Sequence, residues 1–287
     1  MNRKAAWIDP ISPWILPLLA LIAWEACARA GWLSARILPA PWAVVHAAWE
    51  LAQSGQMWDD VKVSAARAFG GFAIGGGIGF ALALATGCST RLEAVLDSSV
   101  QMVRNIPVLA TIPLVILWFG IGEPAKLFLV ALGVFFPIYV NTFHGIRSVD
   151  AALVEMARSY GVHGFRLYRE VVLPGALPSI LVGVRFALGL MWVTLIVAET
   201  ISAQSGIGYM TMNAREFLQT DVVIVGILLY ALLGKLADVV ARLAEAWLLP
   251  WRSPHRAARG SAFSRVFKGL RANKAFNRQA TWRGAKA

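Results

Sequence analysis

Residues 69–88 read FGGFAIGGGIGFALALATGC, a run with no charged side chain. A helix of that length rises about 30 Å, the thickness of the hydrocarbon core of a bilayer. Gly71, Gly75 and Gly79 recur at every fourth position, and Ala83 and Gly87 continue the register. Apolar burial does not drive helices together in lipid, so a stripe of small residues serves instead as a place where a second backbone can approach closely. General tolerance of glycine in membranes leaves the strict register unexplained. Gly71, Gly75 and Gly79 are therefore read as helix-packing positions.

The rest of the chain has the same character. Of 287 residues, 58% are hydrophobic and only 15% charged, more apolar surface than one soluble core would bury. Strand-length stretches of alternating polarity are absent, which argues against a barrel. The expected class is all-α, a polytopic membrane protein with six transmembrane helices. The runs lie near Trp14–Ala30, Phe69–Cys88, Ile106–Ile121, Leu127–Ile146 and Pro178–Ala198, with a sixth after Asp221. That last run is purely apolar from Val222 to Gly234 and amphipathic beyond Lys235, with Leu236, Val239, Val240, Leu243 and Trp247 on one face.

The first run is read as a retained span. Ala26–Ala28 looks like a cleavage site, but Pro10, Pro13 and Pro17 suit a signal core poorly. Between the first two spans, Val44, Val45, Ala48, Trp49 and Ala52 share one face of an external surface helix. Arg91–Arg104 reads as a second short helix lying at the membrane surface. Pro107, Pro113 and Pro137 sit inside spans, where the carbonyls they free need partners, so these helices are expected to pack in protein rather than face lipid.

Charge orients the chain. With the N-terminus inside, eighteen of the 27 Lys and Arg residues lie on the inner side and six on the outer, which by the positive-inside rule makes both termini cytoplasmic. Net charge is +11, but ten basic residues fall after Pro250, where there is no Asp or Glu. The body is thus close to neutral, and nucleic acid is not an expected partner. The tail, interleaved with Phe263, Phe267, Phe276 and Trp282, has two readings: a segment lying on anionic lipid, or a solvated chain. Cys27 and Cys88 have no metal-like or disulfide-like spacing, and no metal site is expected. The resulting division is a cytoplasmic N-terminus at 1–13, a transmembrane domain at 14–249 and a basic cytoplasmic tail at 250–287.

The segment 155–178, EMARSYGVHGFRLYREVVLPGALP, concentrates charge on the inner side between two apolar runs. Leu153, Met156, Ala157 and Tyr160 line one side of a first short helix, and Gly161 supplies the freedom a helix end needs. A second short helix is expected from Phe165 to Leu173, ended by Pro174, with Pro178 opening the next span. Together they form a compact knob, suited to docking another protein.

These residues carry a family resemblance. Glu155, Ala157 and Gly161, then nine residues, then Val171, Leu173 and Pro174, resemble the EAA loop of permease subunits of bacterial ABC importers. Met156 and Val171 are mild departures from that pattern. Residues 173–210 and 212–239 are similar to the aliphatic sulfonate branch of the family, which is related to the taurine, nitrate and bicarbonate permeases. The likeness covers about residues 14–249 and leaves the tail outside.

The resemblance implies a type I importer permease fold in a bacterial inner membrane, with cytoplasmic coupling helices in a loop at 151–174. Glu155, Ala157, Gly161, Val171, Leu173 and Pro174 would couple to a cytoplasmic ABC ATPase. It also implies a second copy of this chain, a periplasmic or lipid-anchored sulfonate-binding protein, and surrounding membrane lipid. ATP and Mg would be bound by the ATPase. This chain is expected to bind no cofactor, since Gly234-Lys235 lacks the remainder of a phosphate loop.

A sulfonate is a permanent anion, so its path needs donors or positive potential. Two readings stand for Arg185: it faces the pathway, or it snorkels or pairs with a neighbour. Glu199 is either a gate residue or a structural ion-pair member, and Met191 and Trp192 either line the path or pack. Lys235, Asp238 and Arg242 can pair along one helix, and His144 reads as an interfacial hydrogen-bonding residue. An ion-coupled secondary transporter lacks support because no inverted repeat is evident. An intramembrane enzyme lacks it because the spans hold no catalytic residues of any recognisable kind.

Overall fold

A computed structural model describes residues 12–34 and 36–250, and every regular element in them is helical. The basic tail and the first eleven residues lie outside the described residues. The chain divides into Trp24–Leu249 and a second unit formed by Met1–Ala23 and Pro250–Ala287. Within the latter, the described residues belong almost wholly to the start of α1 (Ser12–Arg29), where Leu16, Leu19 and Ile22 are exposed.

The larger unit is organised around α6 (Glu123–Arg147), which packs along α3 (Gln56–Cys88) on one side and α9 (Leu173–Ser202) on the other. Both contacts are close enough to exclude a β-carbon. One built on Gly71 would sit 2.6 Å from the Val130 side chain, on Gly75 2.0 Å from the Ala131 carbonyl oxygen, and on Gly79 2.7 Å from that of Phe135. On the other side Gly133 meets Thr194, and Gly183 of α9 meets Asn141. Pro137 is buried in α6, and Ser179 of α9 donates to the Asn141 carbonyl at 2.7 Å. Helices that cannot use hydrophobic attraction in lipid are joined here by backbone proximity and polar contacts.

Among the described residues, four helical segments are long and apolar enough to cross a membrane: α3, α6, Gly164–Ile201 and α11 (Thr220–Leu248). A fifth arises if α4 (Thr90–Arg104) and Val108–Phe119 count as one span bent by 85°. Six spans are expected from hydropathy, and the difference arises at two of them. In α1, Pro17, Glu25 and Arg29 dilute an 18-residue helix. Ile106–Ile121 is not one helix: Val108–Thr111 is a 3-10 turn, and α5 (Ile112–Phe119) has eight residues, about 12 Å of rise.

Nor does α4 lie flat as a surface helix. Glu93 pairs with Arg147 at the end of α6, Tyr139 donates to Asp97 at 3.3 Å, and Val103 shares a groove with Leu132, Phe135 and Phe136. The helix therefore climbs α6 from its C-terminal end towards its middle.

Three smaller features also differ from the sequence reading. Pro174 does not end a helix: α8 (Gly164–Leu167) runs through a π turn at Tyr168–Val172 straight into α9. The wider turn accommodates the donor that Pro174 lacks. On α2 (Pro41–Gln53) the buried face carries Val44 and Ala47 against Val225, leaving Val45 and Trp49 exposed. A ten-residue helix, α10 (Ile207–Glu216), fills what hydropathy leaves as a connection between the last two spans.

Gly75→Ala is expected to force α3 and α6 apart and cost about 1–3 kcal/mol, the range for overpacking. Gly77→Ala meets nothing within 4 Å and should instead stabilise slightly, because alanine favours helix by up to about 1 kcal/mol. Thermal unfolding of the two variants in one detergent checks the opposite signs.

Candidate functional site

Two constellations occupy opposite ends of the larger unit. The first lies where α3 begins its apolar run, α6 starts and α9 ends. Asp60, Ser64 and Arg67 recur at helical spacing on the same face of α3 that carries Gly71 and Gly75, so the stripe is polar at one end and glycine-rich beyond it. All three are buried.

Glu199 is the centre of this group, with its side chain 0% exposed. It accepts from Ser64 Oγ and from Arg67 Nη1, each at 2.8 Å, and from the Gly208 amide and the Tyr230 hydroxyl, each at 2.9 Å. Four donors, one of them a guanidinium, make a buried carboxylate tolerable where a bare one would be very costly. Arg67 uses the rest of its fork on Glu123, in a bidentate pair of 2.6 and 2.7 Å, and on the carbonyl and hydroxyl of Ser205. Lys126 adds a third contact to Glu123 at 2.9 Å.

The same group holds the start of α10. Three successive amides, of Gly206, Ile207 and Gly208, donate to Asp60, Ser64 and Glu199 respectively, each at 2.9 Å. These are the donors a helix start leaves without intrahelical partners, and acidic side chains suit that end of the helix dipole. Gly206 has φ +102°, and a β-carbon there would meet Glu199 and Arg67 within 2.7 Å. The network thus ties α3, α6, α9, α10 and α11 into one corner.

The second constellation is the knob between α6 and α9. Asp150 caps α7 (Ala151–Ser159) by accepting from the Ala152 amide at 2.9 Å. At its other end Gly161, at φ +82°, lets Val162 donate to the Ala157 carbonyl and Gly161 to that of Arg158. This is the two-bond Schellman termination, which needs a left-handed residue at the glycine position. Ala157 is buried beneath the turn, while Glu155 and Gly161 are exposed. Val171, Leu173 and Pro174 are half-buried at the base, and Tyr168 donates to the Cys88 carbonyl at 3.4 Å. Met156, Tyr160 and Phe165 point outward, the last two more than 80% exposed.

The remaining sequence candidates lie apart from both groups. Arg185 donates to Asp238 at 2.8 Å across α9 and α11, and Asp238 also pairs with Arg242 at 2.9 Å and Lys235 at 3.7 Å. Met191 and Trp192 are buried in an apolar cluster with Ala187, Leu195, Met210 and Tyr230. Of the sequence candidates, Glu199 alone enters this network. Its partners Asp60, Ser64, Arg67, Glu123, Lys126 and Tyr230 were not singled out as a site. Their one sequence signal is the face shared by Asp60, Ser64 and Arg67 with the glycine stripe. No group of residues suited to holding a metal ion occurs among the described residues.

Arg67→Ala leaves Glu199 buried without its counter-charge and is expected to destabilise the protein by about 3–5 kcal/mol. Tyr230→Phe removes one of four donors to that carboxylate and should cost less, about 1.5–3 kcal/mol. Thermal unfolding in detergent separates the two; equal small losses would show that the corner carries little of the stability.

Residues 75–249 match the family described as "Binding-protein-dependent transport system inner membrane component". SsuC of Escherichia coli (strain K12), named as an aliphatic sulfonates transport permease, is 62% identical over 85% of this chain and 93% of its own. SsuC of Bacillus subtilis (strain 168) is 45% identical over 88% and 91%. TauC of Escherichia coli (strain K12), named as a taurine transport system permease, is 32% identical over 87% and 94%. A solved amino acid ABC transporter with histidines shares the fold, at TM-score 0.52 and 18% identity, covering 67% of this chain and 96% of that one. With a family match spanning more than half its length and relatives matched over nearly theirs, the chain belongs to the multi-pass inner membrane permeases of binding-protein-dependent ABC transport systems.

Proposed function

We propose that this permease carries aliphatic sulfonates inward as the membrane subunit of an ATP-driven importer. The observation that carries the substrate is the 62% identity, over nearly the whole of both chains, to a protein named for aliphatic sulfonates, against 32% to one named for taurine. In this reading the membrane domain, 14–249, has six spans, α1 and the bent α4–α5 pair included, and both termini and the 250–287 tail are cytoplasmic. A second copy completes the pathway, and a sulfonate-binding protein delivers the anion to the outer face.

The knob at 151–174 is the seat of the cytoplasmic ATPase. Exposed Tyr160, Phe165 and Met156 supply apolar area for it, while Glu155, Ala157 and Gly161 shape the turn, and Val171, Leu173 and Pro174 join it to α9. ATP and Mg belong to that partner, and this chain contributes motion. Because α8, the π turn and α9 are continuous, displacement of the knob is passed along one rod whose far end carries Glu199. Glu199 and its partners then act as a latch on the outer side, and Arg185 belongs to an inner charge cluster beside the path.

Uptake of labelled alkanesulfonate, taurine and nitrate, by cells with and without this chain and before and after ATP depletion, tests the substrate. Loss of alkanesulfonate uptake alone supports the reading, whereas loss of another anion's uptake leaves the architecture and overturns the substrate. Gly161→Pro imposes φ near −65° where the chain needs +82°. It is expected to leave ATP hydrolysis running while uptake falls; unchanged uptake per ATP would remove the knob from coupling.

A further inference from the structure

We infer that the break between α4 and α5 is an anion-binding step of the translocation path, with Arg104 supplying the charge and Asn105 and Gln101 further donors. The inference rests on reading the chain as an anion permease, but its position comes from the helix contacts. Glu93 lies against Arg147, Asp97 against Tyr139, Val100 among Phe135, Tyr139 and Phe143, and Val103 against Leu132 and Phe136. Arg104 therefore stands beside the middle of α6, roughly 20 Å up from its inner end. The positive-inside count had placed this arginine at the cytoplasmic surface.

At that depth the chain turns by 85° between Arg104 and Val108, across Asn105, Ile106 and Pro107. Irregular backbone at membrane depth is tolerated only where protein covers it or water reaches it. Arg104 and Asn105 are exposed on this chain, so the requirement is not met from within.

Arg104 also differs from most basic residues of the membrane-spanning segments. Arg67 has Glu199 and Glu123, Lys126 has Glu123, Arg147 has Glu93, and Arg185, Lys235 and Arg242 share Asp238. Among the described residues Arg104 has no carboxylate partner. Arg91 and Arg169 have none either, but each lies near the start of its segment, whereas Arg104 stands at the bend of the α4–α5 span. An ionised side chain at this depth faces a water-filled cavity or a charge of opposite sign. Ser98, Gln101 and Asn105 follow each other at helical spacing on α4, next to Arg104, and form a ladder of hydrogen-bonding groups leading to the break. A planar guanidinium with five donors, flanked by carboxamides, fits a small oxyanion with several acceptor oxygens, such as a sulfonate headgroup. Broken helices near the bilayer midplane are where transporters place such sites.

The test uses the assembled transporter, with ATPase and binding protein, in membrane vesicles. In a background carrying Cys27→Ser and Cys88→Ser, Arg104→Cys is treated with a membrane-impermeant methanethiosulfonate, with and without ethanesulfonate, taurine or nitrate. Modification slowed by the anion that the wild type transports is the expected result. An unreactive thiol, or one modified at the same rate with every solute, would overturn the site and place the residue in lipid or a sealed contact. In parallel, Arg104→Gln should reduce uptake at low substrate by about tenfold or more, with Arg104→Lys retaining part of it, while the ATPase still co-purifies. Full uptake by Arg104→Gln overturns the proposal.

The substrate reading fails separately. If the wild type carries taurine or nitrate but not ethanesulfonate, protection by the carried anion still supports the site. If the wild type carries only a neutral or cationic solute, both readings fall.

Discussion

The structure depends on the closeness of α6 to its two neighbours. Lipid tails offer apolar side chains no less than a protein interior does, so spans are held by dispersion contacts and polar groups that lipid cannot match. Gly71, Gly75 and Gly79 bring the backbone of α3 against α6, and Gly133 and Gly183 do the same between α6 and α9. With α6 pinned on both sides, the first residue of α6 and the last turns of α9 are brought to one corner, where Glu123 and Glu199 share Arg67. The charge network is therefore a consequence of the helix packing as well as a reinforcement of it.

The two ends of the molecule are built on different physics. At the corner around Glu199, buried charge is surrounded by donors, so losing any one partner leaves a group with no water to replace it. At the other end, the knob exposes Tyr160 and Phe165 and has a glycine-closed turn. One rod, α8 through α9, joins them, with a π turn ahead of Pro174 and Pro178 inside the helix. The rod is thus anchored by buried charge at one end and carries exposed aromatic side chains at the other.

The chain's class, its long helices and the knob's turn were legible in the sequence because each is written locally. A run such as 69–88 declares its own length and apolarity, and Gly161 marks a helix end whatever surrounds it. Continuity across Pro174 was not legible: a proline normally stops a helix, and only the wider π turn, settled by packing at the base of the knob, carries the chain past it. The third span misled for a related reason. Ile106–Ile121 is apolar enough to be a helix, but Pro107 and Pro113 divide it, and the apolar run alone says nothing of the 85° turn.

What the sequence by itself determined is therefore the membrane class, the family and the four-residue register of small side chains on α3, since these follow from composition and spacing along one helix. The tertiary structure alone decided which helix receives that stripe and which charges meet. Ser64 and Arg67 reach Glu199 across 135 and 132 residues of chain, and no local pattern encodes a partner at that separation. It also decided that Arg104 lies beside the middle of α6 instead of at the membrane surface. A helix's own residues set its polarity, but its depth is set by the neighbour it climbs.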